Sequence, residues 1–326
     1  MQRLIPFDIA KAICIMLVVI GHYVPAGSPS WYMGVHDVIY SFHMPLFMFA
    51  SGFIYMATKK EIPYKDFLMK KVKRLMIPYF SVSAIIITIK LATERNAYVE
   101  NPVTLMSYLK MFYLPEAGYF LWFIWALWWM FVLVPICKTK QARLGLFGFA
   151  ILIHYIPSCL PEMFCLRQFQ NMLVYFMLGV VCCDWKSQLA WLCKVPSTIV
   201  YLLFLGGESA MLMEILGGQV LMLLPYVGIA AVMSLSYNIE NGMLEVKGLL
   251  MIVSGSSYII YLFHTTFEGF AKAVVHKIPI FADTSNELLF IVNVFVVVSC
   301  GIIVPVILQR YVLSRYSIAK VLFGLK

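Results

Sequence analysis

Apolar residues run along this chain in long, nearly unbroken stretches separated by short polar segments, not in the period-2 or period-3.6 stripes of a half-solvated fold. The stretches predict helices near 6–25, 36–57, 76–93, 119–136, 143–157, 168–183, 188–206, 209–236, 248–272 and 286–310. Runs of about 17 to 25 residues suffice to cross a hydrocarbon core about 30 Å thick. The reading is an all-α integral membrane protein of about ten transmembrane helices, forming one domain over 1–326. The longest extramembrane stretch, Glu94 to Gly118, is too short for a soluble domain, and no repeat or low-complexity tract stands out. Pro196, Gly217, Gly218 and Pro225 interrupt the runs between 188 and 236 and can divide them into half-helices.

Composition agrees. The 326 residues are 62% apolar and 13% charged, with mean hydropathy +0.86, against about 45 to 50% and about 25% in soluble domains. The first run follows Arg3 and precedes Ala26 and Gly27, as a secretory signal would. Asp8 and Lys11 sit inside it, however, and no small-x-small site ends it, so it reads as a true helix.

Charge fixes the expected orientation. With both termini on one side, that side carries Arg3, Lys59, Lys60, Lys65, Lys70, Lys71, Lys73, Arg74, Lys138, Lys140, Arg143, Lys186, Lys247, Arg310, Arg315, Lys320 and Lys326. The other carries Arg95, Lys110, Arg167, Lys272 and Lys277. Seventeen cations against five place both termini in the cytoplasm, in a multi-pass protein of the inner (plasma) membrane. The weakly acidic loop Glu240 to Lys247 is the one poor fit. The net charge of +9 is thus topology and calls for no nucleic acid. The eight cysteines form no C-x-x-C pair, and no metal is expected. Only Cys159 and Cys165 share a short loop, on the external face, where a local disulfide could close.

Ionisable groups inside lipid cost from about 2.5 kcal/mol upward, which makes each a functional candidate. Asp8 and Lys11 share a helix face near its cytoplasmic end, where they can form a structural ion pair or serve a ligand. Histidine is cheaper, since an unperturbed pKa of about 6.5 leaves it neutral at pH 7 and able to exchange a proton. At about 1.5 Å per residue, His22, His43 and His264 lie about 5, 10 and 12 Å below the external ends of their helices, in one layer. Asp8, fourteen residues before His22, is about 21 Å away along the axis and cannot pair with it. Glu268 is one turn from His264 and could orient that ring or raise its basicity. His43 and His264 read equally as catalytic groups or as histidines hydrogen-bonded between helices, whereas His22 reads first as chemistry. The cations KKVKR at 70–74 are either a topology anchor for anionic lipid or a seat for a phosphate-rich ligand such as coenzyme A.

These residues resemble a family. RLIPFDIAK at 3–11 with His22 eleven residues after Lys11, FHMPLFMFASGF at 42–53, KKVKRLMIPY at 70–79, YFLWFIWALW at 119–128 and YIIYLFH at 258–264 are similar in order and spacing to the membrane-bound acyltransferase-3 family, especially its sugar O-acetyltransferase branch. The first eighty residues carry most of the specificity. The resemblance implies a ten-helix core that takes an acyl group from cytoplasmic acyl-CoA and delivers it to a hydroxyl of a cell-envelope glycan. It implies that His22 is catalytic and that the cations at Lys11, Lys70 and Arg74 help hold the acyl-CoA donor. Beyond the resemblance, Lys71 and Lys73 join these cations as expected contacts for the phosphates of acetyl-CoA, and His43 or the His264 and Glu268 pair are expected to polarise or position the reactants. The family has arginine where Lys11 and Lys70 stand, and lysine keeps the charge while losing the planar fork. Succinyl or another short acyl group remains an alternative donor group. Outside the resemblance, broken helices and ionisable groups at membrane depth would also suit a polysaccharide or lipid-linked sugar transporter, and buried histidines a pH-reading scaffold. Oligomeric state and acceptor identity have no signal in the sequence.

Overall fold

The computed structural model describes residues 4–93, 101–158, 160–189, 191, 195–275, 277–278 and 286–325. Among these the chain is helical, without a strand. Seven helices among the described residues are long and apolar enough to cross a membrane: Ile5–His22, Ser30–Ala57, Tyr64–Thr93, Tyr119–Ile136, Met163–Asp184, Leu244–Val275 and Glu287–Leu313. Ser197–Leu212 is a shorter apolar helix. The α-helices are α1 (Ile5–His22), α2 (Ser30–Ala57), α3 (Tyr64–Lys71), α4 (Ile77–Thr93), α5 (Ser107–Lys110), α6 (Trp122–Leu133), α7 (Lys140–Tyr155), α8 (Leu166–Asp184), α9 (Ser197–Leu212), α10 (Gly218–Leu221), α11 (Leu224–Gly242), α12 (Leu244–Val275), α13 (Glu287–Leu308) and α14 (Ser317–Leu322). Cys159, one half of the disulfide that the sequence permits with Cys165, lies outside the described residues.

The helix boundaries depart from expectation where proline and glycine stand. In place of helices at 188–206 and 209–236 the chain forms α9, the single turn α10 and α11. Pro196 caps the start of α9, Gly217 caps α10 and Pro225 occupies the first turn of α11. Proline is tolerated at a helix start because its missing N–H would have no partner there. Glu214, in the left-handed region at φ 56°, turns the chain away just beyond α9.

The helix expected at 76–93 instead begins at Tyr64, so the basic stretch lies on a helix and not in a loop. Pro78 lacks the N–H that the Arg74 carbonyl would receive. A π turn over Val72–Met76 widens the backbone just before it, with the Ile77 N–H donating to the Val72 carbonyl.

The chain divides into two compact units, each drawn from two stretches. The first comprises residues 1–54 and 185–307. Its centre is α1, which packs along α12 and α11, while α11 packs on α9. Ile9 and Ala12 of α1 meet Ile239 of α11 and Leu250 of α12. Without a hydrophobic drive between helices in lipid, close backbone approach through small residues holds such contacts. Gly228 of α11 is one: a Cβ there would lie 2.5 Å from Phe42 Cβ. Asp8 and Lys11 pair at 2.7 Å, and Ser254 of α12 reaches Asp8 at 3.4 Å.

The second unit comprises residues 55–184 and 308–326. In it α7 packs on α8 and α8 on α6. Arg143 of α7 grips Asp184 of α8 by two hydrogen bonds, at 2.5 Å from Nε and 2.9 Å from Nη2. Its remaining nitrogen donates to the Cys137 and Lys138 carbonyls. Tyr79 of α4, fully buried, donates toward the Met111 and Leu114 carbonyls and anchors the segment leading to α6.

Candidate active site

His22 is the last residue of α1, and the chain turns extended at Tyr23. The helix end is fixed from two directions. The Tyr32 hydroxyl, buried, donates to the Tyr23 carbonyl at 2.7 Å and lies 3.3 Å from that of Ile20. The Tyr23 hydroxyl donates to Asn293 Oδ1 of α13 at 2.8 Å. The Tyr23 carbonyl, just past the helix end, thereby gains a donor.

The structure brings His22, His43 and His264 together in the first unit. The His22 and His264 rings lie 5.1 Å apart between centroids, tilted by 52°. His264 is fully buried and His43 nearly so, while His22 is exposed. His264 Nδ1 sits 2.9 Å from the Tyr261 carbonyl and 3.2 Å from that of Ile260. His43 Nδ1 sits 2.7 Å from the Ile39 carbonyl. A carbonyl can only accept, so both Nδ1 atoms carry the proton in the neutral rings and Nε2 holds the lone pair. Backbone carbonyls of α12, one turn back, thus set the His264 ring.

Glu268, 5% exposed, lies one turn beyond His264. Its Oε1 is buried with no hydrogen-bond partner among the described residues. Gly301 of α13 makes room for this side chain: a Cβ there would stand 2.9 Å from Glu268 Cγ and from Val19 Cγ1. The carboxyl is within electrostatic reach of Tyr23, Tyr32 and Tyr40.

The candidate donor cations differ from one another. Lys70, Lys73 and Arg74 are exposed. Lys71 instead folds its ammonium over the Phe131 ring, 3.4 Å from the centroid, with Phe67 at 5.3 Å. Cation–π attraction of that kind competes with any phosphate for the charge. Lys11 is held by Asp8. Among the described residues no group of three or more His, Cys, Asp or Glu could hold a metal.

A family model described as an acyltransferase domain, acyltransferase-3, matches residues 5–310. The chain belongs to the acyltransferase-3 family. Over 143 residues it is 29% identical to the nodulation protein NolL of Mesorhizobium japonicum, covering 42% of this chain and 37% of that protein. Over 96 residues it is 35% identical to the nodulation protein NolL of Sinorhizobium fredii, covering 28% of this chain and 26% of that one. The matches thus span little more than a third, or about a quarter, of these curated relatives. No solved structure matches the chain.

Several groups at this family member's site were not singled out by sequence. Tyr40 lies 6.4 Å edge-on from His22 and 4.8 Å from His43, with His36 stacked on it at 4.1 Å. The spacing 36, 40, 43 is one helical stripe and was legible in the sequence. Glu208 of α9, 4% exposed, accepts from Ser41 at 2.7 Å. It is a carboxyl in an apolar run, which the same cost argument should have flagged. The Tyr23–Asn293 bond joins positions far apart in the chain and left no local signal.

Proposed function

We propose that the protein transfers an acyl group, by default acetyl, from acyl-CoA to a hydroxyl of a cell-surface glycan or its precursor. In this reading it spans the plasma membrane with ten helices, adding α7, α9 and α11 to the seven long apolar ones, and both termini are cytoplasmic. The observation that carries the chemistry is His22, an exposed residue at the end of α1 whose ring lies 5.1 Å from the buried His264 ring.

His22 takes the proton of the acceptor hydroxyl as that oxygen attacks the thioester carbonyl. The carbon–sulfur bond breaks, the ester forms, and the imidazolium returns the proton to the departing coenzyme A thiolate. The neutral His264 ring, with its proton on Nδ1, offers the growing imidazolium a neighbour without positive charge. Since a second cation beside it would be repelled, a fixed neutral neighbour favours the base. Transfer through an acyl-imidazole on His22 would use the same ring in two steps. Lys70, Lys73 and Arg74 supply exposed cations for the donor's phosphates in the second unit, and Lys71 contributes less because of its aromatic seat.

The test is acetyl-CoA binding and turnover by the detergent-purified protein, its His22→Ala variant and a Lys70→Ala, Arg74→Ala double variant. Binding without turnover in the first and loss of binding in the second support the reading. A His22→Ala protein with full transfer sinks it. Glycan movement across sealed vesicles without any acyl-CoA would instead favour transport.

A further inference from the structure

Tyr40 is the ring on which the exposed side of the histidine group converges. His36 lies nearly parallel to it at 4.1 Å and 26°, His43 is 4.8 Å away, and His22 meets it edge-on at 6.4 Å. Gly21, the residue before His22, permits this approach: a Cβ there would stand 2.9 Å from Tyr40 Cε2. Despite these neighbours Tyr40 is 44% exposed, and among the described residues its hydroxyl has no hydrogen-bond partner. One turn earlier, His36 Nδ1 and Asp37 Oδ1 are 3.2 Å apart, and the Asp37 side chain is 57% exposed.

An exposed tyrosine on a membrane helix is commonly an interfacial anchor against lipid. Here the same face of α2 carries His36 and Asp37, whose polar atoms acyl chains would leave without hydrogen-bond partners. The face therefore suits a ligand with both apolar and polar surface. A pyranose has both: a flat C–H face for an aromatic ring, and hydroxyls that donate to a carboxylate and accept from a phenol or imidazole. An acyl chain or a phosphate would leave half of these groups unmatched.

We propose that Tyr40, His36 and Asp37 form the acceptor subsite, on which a pyranose ring lies with one hydroxyl presented to His22. The ring stacks on Tyr40 and Asp37 accepts from a second hydroxyl. This rests on the acyl-transfer reading for its kinetics, but sugar binding is measurable without any donor.

The experiment uses the full chain in a detergent without a sugar head group. Saturation-transfer NMR is recorded with methyl β-D-galactopyranoside, methyl β-D-glucopyranoside and, as an open-chain polyol, sorbitol. Wild type is expected to saturate the C–H face of at least one glycoside and not sorbitol. Tyr40→Leu should lose that signal and raise the glycoside KM for acetyl transfer about tenfold or more, with the acetyl-CoA KM unchanged; a tenfold change is about 1.4 kcal/mol. Tyr40→Trp, which keeps an aromatic face, should retain binding, and Asp37→Asn should raise the glycoside KM by a smaller factor. Unchanged glycoside binding in Tyr40→Leu overturns the proposal. So does a fall in kcat at constant glycoside KM, which would make Tyr40 a support for His22. If wild type turns over no acyl-CoA yet binds a glycoside through Tyr40, acyl transfer fails and the subsite stands. If it binds neither glycoside, the subsite fails whatever the turnover.

Discussion

The His22 and His264 rings stand 5.1 Å apart although one ends α1 and the other lies within α12. They differ in setting: His22 is exposed, whereas His264 is buried with Nδ1 turned to the carbonyls of its own helix. One ring can therefore meet a substrate while the other is held still beside it.

His22→Ala should lower acetyl transfer by about 100-fold to 10,000-fold, the usual range for a general base. Acetyl-CoA binding, followed by calorimetry, should persist, because the proposed phosphate contacts lie elsewhere.

His264→Asn keeps a donor near the position of Nδ1–H and removes Nε2, while His264→Leu removes both. Because the proposed role of His264 is that of a fixed neutral neighbour, the asparagine variant should keep kcat within a few-fold, while the leucine variant should show a lower melting temperature. A large loss of kcat in the asparagine variant would show that Nε2 itself acts on His22.

Gly301→Ala places a methyl group 2.9 Å from Glu268 Cγ and Val19 Cγ1. Overpacking of this kind costs about 1 to 3 kcal/mol. Thermal unfolding should show the loss, and Glu268→Ala should relieve only part of it in the double variant, because the Val19 contact remains.

Lys71→Met should leave the acetyl-CoA KM within about twofold, since cation–π contact with Phe131 already occupies the ammonium. Lys70→Ala with Arg74→Ala should raise it about tenfold, and more at low ionic strength, where exposed charges are less screened. Titrating KM against salt for the three proteins separates the roles.

Arg143→Met leaves Asp184 buried and unpaired. Breaking such a pair costs about 3 to 5 kcal/mol, and Arg143→Lys should recover little, because lysine cannot make the two-pronged contact. Chemical unfolding of the second unit is the measurement.

Much of this was legible in the chain itself. Run length and the scarcity of charge specify helices in lipid, because a backbone without water must bond to itself. Asp8 and Lys11 were expected on one face and pair there. His22 and the family motifs around it are local patterns of spacing, which survive in one dimension. Arg143 shows the limit. By sequence it is one more cation near the membrane boundary, and only the packing of α7 on α8 buries it against Asp184. Lys71 likewise looks equivalent to Lys70 until α6 brings Phe131 under it. The positions of Glu268 and Tyr40 depend on Gly301 and Gly21, whose missing side chains admit partners from other helices. Sequence alone set where the long apolar runs and their charges lie and that His22 sits near the outer end of the first run, which the structure ends at His22 and not at 25. Tertiary structure decided which rings and carboxyls meet, because contacts between helices depend on close packing among residues distant in the chain.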